Sequence, residues 1–454
     1  MASHYQSKHA APSETSPQSS RAPKQPDQPS RHNQPKGRLP LVILALVLCF
    51  CIIGAGAYAL VHYVIFAPSN TSSTETLPPA PTEPTLAPTP TAAPTQAPTE
   101  PGYTSMADEL LRSMSTREKI CQLFIVTPET LTGVDGVNIA GETTRQALAD
   151  YPVGGIIYNT ANLESVEQTS EMIEKSQEFV KIPLFISVDE EGGQVARVAE
   201  RLGTTSFDPM YSYKDQGVQV AYDNALTIAS EISAIGFNLD FAPVADVWSN
   251  PSNTVIATRA YSDSFEQAAQ LIGRAVKGFA DGGVLCTLKH FPGHGGTTED
   301  SHAGLAYVRE SLEELKAGAL LPFKSGIDAG ADMVMIGHLV VAALDDELPA
   351  TLSGKVVPQL LREYLGYDGV VITDGMQMNA ITDNYDHDTI VKGIFDADVD
   401  IILQPDSLDS YITAIENALD NGTITQAQLD SKVRRILTLK YSKGIIPTAS
   451  TNAE

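Results

Sequence analysis

The chain has 454 residues, a net charge of −25 at pH 7 and four cysteines. Such an acidic balance excludes a general nucleic-acid binder, which needs a basic footprint, and the number and placement of the cysteines exclude a disulfide scaffold. The length exceeds that of an average domain, although an α/β barrel can fill about 250 residues or more as one unit.

Residues 1–38 are rich in Ser, Gln, Pro and His and carry six Lys/Arg against Glu14 and Asp27. With almost no large apolar side chains they cannot bury enough surface to fold, and a disordered segment is expected. From Leu39 to Ala67 the sequence runs LPLVILALVLCFCIIGAGAYALVHYVIFA, without Asp, Glu, Lys or Arg. The run exceeds the roughly 20 residues that span a bilayer as a helix, so it predicts a transmembrane anchor. Lys36 and Arg38 precede it and no basic residue follows closely, which keeps the N-terminus in the cytoplasm and places the rest outside the cell. The competing reading is a cleaved signal peptide, with small-residue sites at Ala55-Gly56-Ala57 and Ala57-Tyr58-Ala59. The apolar run continues past both sites, which favours the anchor. Residues 68–102 are dominated by Pro, Thr and Ala and read as an extended linker that holds a folded domain off the membrane. Assigning +4 to residues 1–38 and −3 to the linker leaves −26 on residues 103–454.

The folded part is expected over residues 103–446, with a disordered tail at 447–454. It alternates short β-branched runs with amphipathic stretches. The runs are ICQLFIV (120–126), GGIIYN (154–159), PLFISVD (183–189), FNLDFAPV (237–244), VLCTLKH (284–290), DMVMIGH (332–338), GVVITD (369–374) and VDIILQP (399–405). Between them, segments such as SVEQTSEMIEKSQEFVK and FEQAAQLIGRAVKGFADG place apolar residues at i, i+3, i+4 and i+7. Eight strand-then-helix units predict a (β/α)8 TIM-type barrel, a doubly wound sheet being the alternative. Asp189, Asp246, Lys289, His290, His338 and Asp374 fall at or just past strand C-terminal ends, which converge on one mouth in a barrel.

Four segments carry a resemblance: DEEGGQVAR (189–197), FAPVADV (241–247), KHFPGHG with DSH (289–302) and ITDGMQMNAI (372–381). Together they resemble glycoside hydrolase family 3, most of all its single-domain β-N-acetylglucosaminidase branch, and the likeness covers nearly all of residues 105–445. The resemblance implies a retaining exo-β-N-acetylglucosaminidase acting on terminal N-acetylglucosamine, with peptidoglycan fragments as the expected source, a carbohydrate as partner and no cofactor. It implies Asp374 as nucleophile, the Asp300/His302 pair as acid/base, and Asp189, Arg197, Arg259, Lys289 and His290 as substrate-binding residues.

The residues themselves suit this chemistry. Asp374 ends an apolar strand, so its carboxylate is held in place, as attack on an anomeric carbon requires. In Asp300-Ser301-His302, one intervening residue lets the carboxylate reach the imidazole and stabilise its protonated form. An imidazole titrates near neutrality and can give a proton in one half-reaction and take one in the next. Gly293, Gly295 and Gly296, with Thr297 and Thr298, predict a mobile loop that swings this pair over a bound sugar. A metal site at His290, His294, Asp300 and His302 is disfavoured, because Pro292 and Gly293 interrupt the only four-residue histidine spacing. The sequence departs from the closest pattern at Glu190, where Gln or His is more usual, and at Ala257, where Gly is common. Other readings are a β-glucosidase or β-xylosidase, a β-glycoside phosphorylase and, in another class, a non-catalytic sugar-binding domain.

Overall fold

The computed structural model describes residues 101–300 and 304–448. The predicted disordered segment, apolar run and most of the linker lie outside the described residues. Among the described residues, no helix is long and apolar enough to cross a membrane.

Eight short parallel strands form one sheet: β1 (Phe124–Val126), β2 (Gly155–Ile157), β3 (Phe185–Val188), β4 (Leu239–Asp240), β5 (Leu285–Phe291), β6 (Met333–Ile336), β7 (Val370–Thr373) and β8 (Ile402–Leu403). Each pairs with its neighbour in chain order, and β1 also pairs with β8. Between β7 and β8 a bridge joins Ile372 to Ile401, and the Ile401 N–H donates to Val371 O at 3.0 Å. The result is an almost closed eight-stranded parallel barrel, consistent with the TIM type. A doubly wound sheet would keep two open edges and reverse its strand order.

All eight expected strands are present, and all but β5 are shorter than the apolar runs that announced them. The physical reason for the difference is clearest at residues 120–122. Thr116–Cys121 is helical because Ser115 accepts the Glu118 N–H while the Glu118 side chain returns to the Ser115 N–H, a capping box that starts a turn just before β1. The amphipathic stretch over residues 311–328 forms two helices, Leu312–Ala317 and Leu320–Asp328, broken at Gly318, where a Cβ would press on the Phe265 ring.

The helix Phe265–Asp281 shows how the outer layer attaches. Ala268, Leu271, Ile272, Ala275, Val276 and Phe279 are buried at helical spacing, and Ser264 caps the first turn. Burying each of the larger side chains contributes roughly 1.5–3 kcal/mol before chain entropy is subtracted. Cys121 and Cys286 are buried thiols, and burial pushes the Cys121 thiol up to about 12.

Candidate active site

Charged side chains gather where β3, β4, β5 and β7 end. Lys289, on β5, donates from Nζ to Asp189 Oδ1 and to Glu191 Oε1, both at 2.7 Å. Asp189 follows β3, and Glu191 lies in the hairpin that Glu190–Gly192 forms with Val195–Ala196. Arg259 grips the same Glu191 through Nη2 (2.7 Å) and Nε (2.9 Å), and its Nη1 donates to Val255 O at 3.1 Å. Burial works to raise the Glu191 carboxyl, but Arg259 and Lys289 outweigh it and hold it far below the usual carboxylate range. Burial likewise opposes the charge on Lys289, and Asp189 with Glu191 overcomes it and raises its pKa.

Asp246, just past β4, organises the two histidines. Its Oδ2 accepts the His290 backbone N–H (3.1 Å) and meets His290 Nδ1 at 2.7 Å, while its Oδ1 accepts the His294 N–H at 2.6 Å. An ionised carboxylate only accepts, so the His290 proton sits on Nδ1 and Nε2 is the acceptor when the ring is neutral. The peptide between Lys289 and His290 is cis.

Asp374 follows β7. Its N–H donates to Ile336 O at 3.0 Å, and its Oδ1 accepts the Gly375 N–H at 2.8 Å. Burial pushes this carboxyl up, but His290, His338, the Gly375 N–H and Lys289 together hold it at about 2, so it is a carboxylate at any physiological pH. His338 is a buried wall histidine: Nε2 donates to Gly375 O at 3.1 Å, and Nδ1 lies 2.8 Å from Thr351 Oγ1. It steadies the peptide beside Asp374.

The structure thus brings Asp189, Arg259, Lys289, His290 and Asp374 together. Arg197 opens the helix Arg197–Leu202 and makes no hydrogen bond or ion pair among the described residues; its charge acts on Glu190. Glu190 caps that helix, accepting the Val198 N–H at 2.6 Å and the Ala199 N–H at 3.1 Å, and burial raises its pKa to about 7. Ala257 adopts φ 42°, the left-handed conformation that favours glycine, two residues before Arg259. Asp300 is exposed, its carbonyl accepting the Gly304 N–H at 3.1 Å. Ser301, His302 and Ala303 lie outside the described residues.

The expected looseness of the glycine-rich segment needs correction over residues 292–297. A Cβ on Gly295 would overlap the Val247 carbonyl, one on Gly293 would crowd Ala319, and one on Gly296 would meet the Glu310 carboxylate. His294 and Thr297 are buried, and Asn253 Nδ2 donates to His294 O (2.9 Å) and Thr297 O (3.1 Å). Glycine serves close approach here rather than freedom. Among the described residues no group of three or more His, Cys, Asp and Glu is arranged to hold a metal ion.

Sequence reasoning missed Glu191, although its spacing of two from Asp189 would put both side chains on one face of an extended segment. It also missed the part of Asp246 in fixing both histidines, because those partners are more than forty residues away.

A parallel barrel with an ionised aspartate and a lysine–carboxylate–arginine cluster at one mouth has the form of a barrel enzyme, whose chemistry sits at the C-terminal ends of the strands. The family model described as Glycosyl hydrolase family 3 N terminal domain matches residues 115–439, and the chain belongs to this family of glycoside hydrolases. The chain is 35% identical over 325 residues to beta-hexosaminidase A of Pseudoalteromonas piscicida, a match covering 65% of this chain and 54% of that protein. It is 32% identical over 335 residues to beta-hexosaminidase LpqI of Mycobacterium tuberculosis, covering 72% of this chain and 83% of that one. The solved family 3 beta-N-acetylglucosaminidase of a Paenibacillus species superposes with a TM-score of 0.69 at 36% identity, covering 74% of this chain and 64% of that chain. The match therefore spans about half the length of the Pseudoalteromonas relative.

Proposed function

We propose that this protein is a retaining exo-β-N-acetylglucosaminidase that removes terminal β-linked N-acetylglucosamine, with peptidoglycan fragments as its natural substrates. The observation that carries the reading is Asp374, a carboxylate held at about 2 by His290, His338, the Gly375 N–H and Lys289 against the pull of burial. In the first step an Asp374 oxygen attacks the anomeric carbon as the bond to the leaving oxygen breaks, and His302 gives that oxygen its proton. In the second, His302 takes a proton from water, the water oxygen bonds to the same carbon, and Asp374 leaves as a carboxylate. Asp300 orients and stabilises the imidazole.

Asp189, Lys289 and His290 supply acceptors and donors for sugar hydroxyls, and Arg259 holds Glu191 so that Lys289 stays aimed. Arg197 serves the rim of the same site. We further read residues 103–446 as one catalytic barrel, carried outside the cell on the 68–102 linker by the 39–67 anchor. The names of the relatives support the substrate class, and the apolar run supports the tether.

The test is to incubate the protein with an activated 2-fluoro sugar or N-acetylglucosaminide and map the labelled peptide by mass spectrometry. Labelling of Asp374 is expected. Turnover with the label on another residue, or turnover abolished by chelation, overturns the mechanism.

A further inference from the structure

Gln404 follows β8 and takes φ 46°, the left-handed conformation that a residue with a Cβ rarely adopts. Its backbone is clamped on both sides. The N–H donates to Ile125 O on β1 at 2.8 Å, and the carbonyl accepts the Gln377 N–H, from the turn after Asp374, at 3.1 Å. Leu403 is tied to the same turn, its carbonyl accepting the Met376 N–H at 2.9 Å, and Pro405 on the other side is buried. Glycine would meet this φ without strain, so an outlier here points to a use for the side chain.

That side chain reaches the peptide that holds Asp374. A Cβ on Gly375 would lie 3.3 Å from Gln404 Oε1 and 3.8 Å from Cγ and Sδ of Met378. Gly375 is the residue whose N–H Asp374 Oδ1 accepts at 2.8 Å and whose carbonyl lies 3.1 Å from His338 Nε2. Asp374 and Gln404 are both partly exposed. The Gln404 amide makes no hydrogen bond among the described residues, so its donor and its acceptor are both open to a ligand, beside an apolar wall supplied by Met378.

Stereochemistry decides which edge of a sugar meets this amide. Right-handed strand–helix–strand connections make β1 to β8 run anticlockwise when the mouth is viewed from above. A retaining enzyme attacks a β-glycoside from the α face, so that face lies on the barrel floor, and the carbons of a D-pyranose, seen from above, run clockwise from C1 to C5. With C1 over Asp374 on β7, C2 and C3 lie toward β6 and β5, where His290 and Lys289 stand, and C4 lies toward Asp189 on β3. The ring oxygen and C5 fall on the remaining side, toward β8. Resting on the glycosidase reading above, we propose that Gln404 is a specificity-determining residue whose amide hydrogen-bonds the 6-hydroxyl of the sugar bound at Asp374. It contacts substrate and takes no part in bond making.

Three donors test this: 4-nitrophenyl N-acetyl-β-glucosaminide, its 6-deoxy analogue and 4-nitrophenyl β-glucoside. Gln404→Gly deletes the amide and relieves the left-handed φ, so the substitution does not burden folding. The wild type prefers the first donor to its 6-deoxy analogue, and in Gln404→Gly the ratio of the two kcat/KM values falls roughly tenfold. An unchanged ratio overturns the proposal, whether both donors are slowed alike, as for a mere support of Gly375, or neither is. A ratio that shifts only between N-acetylglucosaminide and glucoside puts the amide at C2 and overturns it too. Equal use of the first two donors by the wild type overturns it without any variant. Should the wild type turn over none of the three, the glycosidase reading fails and takes this proposal with it, whereas turnover with an unchanged ratio removes this proposal alone.

Discussion

The two ends of the barrel both bury lysines, and they treat them in opposite ways. At the mouth, Lys289 lies between Asp189 and Glu191, and its pKa is raised. At the base, Lys440 is fully buried before the first three strands and donates to Gly154 O (2.8 Å), Pro183 O (2.7 Å) and Gln122 Oε1 (3.2 Å). None of those partners carries a charge, so burial alone pulls its pKa down to about 7. Lys432, also at the base, donates to Val399 O at 2.7 Å and is brought to about 8 by burial, which Asp400 and Asp398 only partly offset. A base lysine ties strand entrances together as a hydrogen-bond donor. A mouth lysine is kept as a cation, the form that can bind a sugar hydroxyl and stabilise Asp374.

This contrast breaks most sharply at Asp374, the proposed nucleophile. Asp374→Asn leaves the shape of the mouth and removes the charge that the cations surround. Its kcat on a chromogenic N-acetylglucosaminide is expected to fall about 10⁴-fold or more, with the denaturation midpoint near that of the wild type. A loss under tenfold would falsify the nucleophile assignment. Next in size is His302→Ala, for which a 10²- to 10⁴-fold loss is expected, roughly the span of general acid–base catalysis. That loss shrinks on donors whose leaving group needs no proton, and an equal loss on all donors excludes the acid role. Glu191→Gln tests how the mouth keeps its cations: it leaves Lys289 and Arg259 buried with half their counter-charge. Breaking a buried pair costs about 3–5 kcal/mol, to be measured by urea unfolding, and a misplaced Lys289 lowers kcat/KM by on the order of 10²-fold. If stability falls and activity does not, Glu191 belongs with the base, as scaffold only.

The barrel was legible in the sequence because its strands are buried on both faces and read as unbroken apolar runs. Asp374, Lys289 and His290 were legible because they end such runs. The reading went astray where a residue's reason lies far along the chain. Gly293, Gly295 and Gly296 announce freedom in isolation, yet Ala319, the Val247 carbonyl and Glu310 fill the space beside them. Cys121 belongs to an apolar stretch, and the capping pair Ser115/Glu118 decides that it ends a helix. Glu191 has a local sequence that any surface turn could share, and only its contact with Arg259 singles it out.

Lys440→Met gives the smallest effect and isolates the base. Methionine fills most of the lysine's volume without the ammonium, so the carbonyls of Gly154 and Pro183 lose a donor, a cost of about 1–3 kcal/mol. The site stands at the other end of the strands, so kcat/KM is expected to stay within about twofold. The pH dependence carries more information than the size. In the unfolded chain this lysine keeps its ordinary pKa of 10.5, while in the folded chain it titrates at about 7. Between these values the unfolded state binds the extra proton, so the wild type gains stability as pH rises from about 7 toward 10, and the gain disappears below 7. Lys440→Met abolishes that slope, which paired urea titrations at pH 7 and pH 9 measure directly. The same slope in both proteins would mean that Lys440 stays charged at the base, held by its carbonyls and by the Phe185 ring, whose centroid lies 4.7 Å from Nζ. The two ends of the barrel would then hold their lysines in the same ionic form by different means.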